Sequence, residues 1–102
     1  MEPKPGPVQQ INIEIPDALE ATYANFAVIT HSPSEIIIDF ARILPNVHKG
    51  RVHARIIMTP MNAKLLQRAL GTNLASFEAQ FGEIKTPEEI PGMDHPVGFR
   101  HE

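Results

Sequence analysis

The chain has no cysteine among its 102 residues, and that absence removes several function classes together. Without thiols there is no disulfide framework, no thiolate zinc site and no cysteine nucleophile, and the composition fits a reducing, cytoplasmic compartment. Aromatic residues make up only 6% of the chain, so platforms for stacking bases are scarce. Positive charge is also in short supply. Nine Lys and Arg stand against twelve Asp and Glu, for a formal net charge of -3. A chain of that balance has no general attraction for phosphate backbones, and nucleic-acid binding would need a local basic patch. No apolar run approaches the roughly 20 residues of a membrane helix, and the opening MEPKPGPVQQ carries no apolar stretch behind its charges. The expectation is a cytoplasmic protein with no membrane contact. The glycines form no GxGxxG and precede no Lys-Ser/Thr pair, no GxSxG elbow occurs, and the five histidines form no HExxH. No cofactor and no metal is expected.

What the chain does contain is a body framed by Pro-rich ends. MEPKPGP opens it and KTPEEIPGMDHPVGFRHE closes it, and both are poor in periodic apolar residues. The reading is a flexible segment over residues 1–8, one domain over residues 9–84 and a Pro/Gly-rich tail over residues 85–102, within which Ile90, Val97 and Phe99 could still dock. A domain of this size has a thin core, since a small chain hides only around 60 to 65% of the surface it exposes when unfolded.

Within the body, strands come first. In QQINIEI the residues Ile11, Ile13 and Ile15 alternate with polar ones, the period of two that buries one face of a strand. YANFAVITH and EIIIDFARIL are rich in β-branched and aromatic residues, and Ser32, Pro33 and Ser34 between them supply the chemistry of a hairpin turn. PNVHKG makes a second turn before RVHARIIMT, which alternates again. At Thr59 the period changes. Thr59 can cap a helix, Pro60 suits its first position, and Ala63, Leu66, Leu70, Leu74, Phe77 and Phe81 recur every three or four residues until Gly82 stops it. The expected class is α+β: a four-stranded antiparallel sheet followed by one long C-terminal helix packed on one face, with Leu70 and Phe77 filling the helix-sheet core and Gly71 permitting a close approach.

Parity places Phe26, Val28, Ile36, Ile38, Phe40, Val52, Ala54, Ile56 and Met58 under that helix. The opposite face carries apolar residues too, ringed by polar ones, as interface patches are. This predicts a non-catalytic homo-oligomeric interaction module, or one that binds another protein, with an interface of Tyr23, Asn25, Ile29, His31, Glu35, Ile37, Asp39, Arg55 and Ile57. Asp39, in mid-strand, needs a cationic partner, and Arg55 or Arg51 on a later strand suits it. Two alternatives read the chain differently. A single-stranded nucleic-acid-binding dimer, similar in outline to coactivator and whirly-type folds, would contact its ligand through Arg42, Lys49, Arg51 and Arg55. A small enzyme would need His31, Glu35 and Asp39 to converge in one pocket.

The wording of the body carries a resemblance. Tyr23-Ala24-Asn25, Thr30-His31-Ser32, Glu35, Asp39-Phe40, Arg55-Ile56, Thr59-Pro60 and Ala63-Lys64 carry a resemblance, covering roughly residues 13–84, to the small prokaryotic family known as domain of unknown function 3467. The resemblance implies a small cytoplasmic protein and no assigned activity.

Overall fold

The computed structural model describes residues 11–89 and 99–101. β1 (Phe26–His31) and β2 (Ile36–Arg42) form an antiparallel hairpin whose register runs from Phe26 opposite Ala41 to His31 opposite Ile36. Pro33 bends the chain between them, and the Ser32 N–H donates to the Glu35 carbonyl at 3.0 Å to close the turn. The stretch that holds His31, Glu35 and Asp39 is this hairpin. β3 (Arg51–Met58) pairs antiparallel with β2, and a three-residue β4 (Phe99–His101) pairs parallel with β1, giving the order β3-β2-β1-β4.

The antiparallel part of the sheet therefore has three strands, not the four expected. Ile11–Ile15 belongs to no strand, and Ile13 is 81% exposed. Its alternation is real, but the outer edge of β1 is taken by the backbone of Phe99–His101, from the segment read as tail. Among the described residues β3 pairs with β2 alone. The expected flexible segment 1–8 and the docking of Ile90 and Val97 lie outside the described residues.

Register also corrects the faces, because side chains of directly paired residues point the same way. Ile29 pairs with Ile38 and Ile38 with Ile56, so Ala27, Ile29 and His31 share the face of Ile36, Ile38 and Phe40. Phe26 and Val28 stand on the other side with Ile37, Asp39 and Ala41. Four successive apolar residues, Phe26 to Ile29, gave β1 no period to read. Val52 changes face for a different reason. Phe40 pairs with Ala54 and Ala41 with Val52, which leaves His53 as the extra residue of a β-bulge and reverses the parity of everything before it.

α1 (Pro60–Phe81) has the ends its sequence asks for. The Thr59 hydroxyl accepts from the Asn62 N–H at 3.2 Å, Pro60 occupies a position that needs no donor, and Gly82 leaves the helix at φ 102°. The Glu78 carboxylate accepts the Ile84 N–H at 2.9 Å and holds the exit. The expected packing of this helix is not found. None of its residues is buried, and Ala63, Leu66 and Leu70 line an open cleft of about 620 Å³ together with Ile29, Ile36, Ile38 and Phe40. Leu70 is 55% exposed and Phe77 48%, so neither fills a helix-sheet core within one chain. A Cβ at Gly71 would meet nothing within 4 Å, so no close approach offsets the roughly 1 kcal/mol that glycine costs there. The buried set among the described residues is Ala27, Ala41 and Asp39, with no large side chain fully buried.

Candidate functional site

Asp39 and Arg55 occupy paired positions of β2 and β3. Arg55 Nε donates to Asp39 Oδ1 at 2.7 Å and Nη2 donates to Oδ2 at 3.0 Å, a bidentate fork across the strands. These hydrogen bonds hold the Asp39 carboxyl below its usual value, against the desolvation that pushes it up and with help from the Arg55 charge. The pair fixes register, which is what a mid-strand carboxylate needs.

Asn25 extends the same logic past the end of β1. Its side-chain amide donates to the Ile43 carbonyl at 3.0 Å and its Oδ1 accepts the Ile43 N–H at 2.9 Å. The amide reproduces one rung of a sheet, and the Asn25 backbone N–H supplies another to the Ala41 carbonyl at 3.2 Å.

The residues read as one interface do not share a surface. Ile29 and His31 lie on the helix side, whereas Ile37, Asp39, Arg55 and Ile57 lie on the opposite side. Glu35 closes the hairpin turn, Asn25 is committed to Ile43, and Tyr23 is exposed ahead of β1. The same register takes apart the proposed catalytic trio, since His31 and Asp39 face opposite sides of the sheet. Among the described residues no three His, Asp or Glu are placed to hold a metal ion, and no helix is long and apolar enough to cross a membrane.

Two groups of residues do converge. The first is cationic. Of the four basic residues singled out from sequence, Arg55 is drawn to Asp39, but Arg42, Lys49 and Arg51 line one concavity of about 310 Å³ with Leu44, Val47 and His53. Sequence reasoning missed His53, because only the bulge brings it here and the bulge has no signature in RVHARIIM.

The second is the helix stripe. Ala63, Leu66, Leu70, Leu74, Phe77 and Phe81 recur at intervals of 3, 4, 4, 3 and 4 residues, an eleven-residue period whose stripe drifts only about 20° per repeat round the helix. Its first half overhangs the sheet. Its second half lines an open hollow with Ile84 and no residue of the sheet, the Phe77 and Phe81 rings 4.9 Å apart.

Compared with known proteins, residues 1–86 match the model of the family described as Protein of unknown function (DUF3467). No curated protein and no solved structure matches the chain.

Proposed function

The chain belongs to the DUF3467 family, whose description assigns no activity, and from that premise we infer that the protein is a non-catalytic homo-oligomeric module whose helix completes its core with a second copy. The observation that carries this reading is surface. Along the helix Leu66, Leu70, Leu74, Phe77 and Phe81 stay 43 to 68% exposed, and a contiguous apolar row left open to water in this way is what an interface covers. A core of two alanines does not offset the entropy of ordering the chain. Association of the apolar stripe with a second copy would add the missing burial.

The stripe is close to a palindrome about its midpoint between Leu70 and Leu74. Paired antiparallel with a second copy, it sets Phe81 against Ala63 and Phe77 against Leu66, the large residues of one end over the cleft beneath the small end of the other. Such a contact is isologous and closes as a dimer.

Light scattering is the test. The wild type is expected at about twice 11.3 kDa. Phe77→Glu, at a position that water can reach in a single chain, is expected at the monomer mass. A wild type at the monomer mass overturns the reading.

A further inference from the structure

The bulge at His53 has a result that the fold does not need. Counted back from Ala54 by strict alternation, Arg51 would face away from Arg42. With His53 inserted, Arg51 stands directly opposite Arg42 on the same face. Directly paired residues of an antiparallel ladder have Cβ atoms about 5 Å apart, and like charges there are destabilising. The ion pairs among the described residues join Arg55 to Asp39 and Lys85 to Glu83, so no carboxylate balances Arg42, Arg51 or Lys49.

The loop that carries Lys49 is held in place. The Val47 N–H donates to the Leu44 carbonyl at 3.2 Å, and Asn46 takes the left-handed φ of 63°. A Cβ on Gly50 would come 3.0 Å from Ile43 Cγ1, so a bare backbone lets the loop close on the residue that follows β2. The bulge brings Arg51 opposite Arg42, and the loop ordered in this way carries Lys49 to the same concavity. Bulges concentrate where a strand re-aims a side chain at a site.

We propose that this concavity, between Arg42, Lys49, Arg51 and His53, is a binding site for a phosphate group. Two arginines, a lysine and a histidine line this one concavity, and a carboxylate would neutralise only one of their charges. A phosphate carries up to two negative charges on several acceptor oxygens and matches a guanidinium fork bidentately. Leu44 and Val47, both about half exposed at the rim, offer an apolar seat for the rest of the ligand. The proposal is independent of the dimer, since none of these residues is on the helix stripe.

The test follows backbone amide resonances of the full chain at low salt during titration with three separate probes: inorganic pyrophosphate, AMP and a short thymidine oligonucleotide. Saturable shifts confined to β2 near Arg42, the 44–50 loop and β3 near Arg51 are expected with at least one probe. Saturation by pyrophosphate or AMP assigns the phosphate to a small molecule, and saturation by the oligonucleotide alone assigns it to a polymer backbone. Arg42→Glu makes an opposite-charge pair with Arg51, so it should raise the melting temperature while weakening binding about tenfold or more. Arg68→Glu, the same charge change on the helix, should leave binding within about twofold, as distant surface charge is screened. Three outcomes overturn the proposal: no saturable shift with any probe, binding unchanged in Arg42→Glu, or equal loss in Arg42→Glu and Arg68→Glu.

Discussion

Arg55 grips Asp39 with two parallel hydrogen bonds, 2.7 and 3.0 Å, from the residue directly across the ladder. Asp39 is one of three buried residues among those described, and the other two are alanines. The contact that holds this buried carboxylate is ionic, made by an arginine that itself stays exposed, and it favours one register over its neighbours. A slip of one residue would move Asp39 to the opposite face and leave its charge unpaired.

The pair has an acid limit. The Asp39 carboxyl is held below its ordinary value of about 4, so its contribution is complete above that pH and is lost as pH falls through the folded-state value. Thermal melts from neutral to acid pH should show the wild type losing stability below about pH 4. Asp39→Asn should melt lower at neutral pH and lose less on acidification. Parallel pH profiles for the two proteins would show that the pair does not contribute.

Asn25→Ala removes both partners of the Ile43 peptide and should cost about 1 to 2 kcal/mol in denaturant unfolding. Asn25→Asp should not restore the loss, because a carboxylate accepts the Ile43 N–H but repels the Ile43 carbonyl. Full stability in the aspartate variant would show that the donated bond is dispensable.

At Gly71 the helix turns its backbone to open space, about 100° round from Leu70 and off the stripe. Gly71→Ala should therefore stabilise by about 1 kcal/mol and raise the melting temperature by several degrees. A lower melting temperature, with a change of mass in light scattering, would place the partner's backbone on Gly71 and shift the contact round the helix.

Assembly through the helix and assembly through the sheet face of Ile37 separate in one comparison. Ile37 is half-buried beside Asp39, so Ile37→Glu should lower the melting temperature and keep the assembled mass, whereas Phe77→Glu should give the monomer mass. The reverse pattern would return the interface to the sheet.

The parts of this fold that could be read in advance are those written in local chemistry. Thr59, Pro60 and Gly82 mark the ends of α1, Ser32 to Ser34 mark the hairpin, and the isolated Asp39 pointed to an arginine on the following strand. What could not be read depends on pairing. Phe26 to Ile29 are apolar on both faces of β1, so their parity follows from the register with β2 alone. The bulge at His53 inverts a sound alternation without a Gly or Pro to announce it. Ile11, Ile13 and Ile15 alternate as a strand should, yet alternation does not say which edge a strand would join: β1 pairs instead with Phe99–His101, and among the described residues nothing pairs with the outer edge of β3. The helix stripe was legible as a stripe, but periodicity names a buried face without naming what buries it.

Thr59 is the only residue between Met58 of β3 and Pro60 of α1. With the proline ring fixing one torsion and the cap bond to Asn62 fixing the next turn, that joint works as a stiff elbow, and the 22-residue helix is the arm it aims. Over a helix of about 33 Å, a rotation of about 10° at the elbow swings Phe81 by about 6 Å, more than the width of a side chain. The place where the two phenylalanine rings land is thus decided at the far end of the molecule, by a threonine and a proline that touch neither of them.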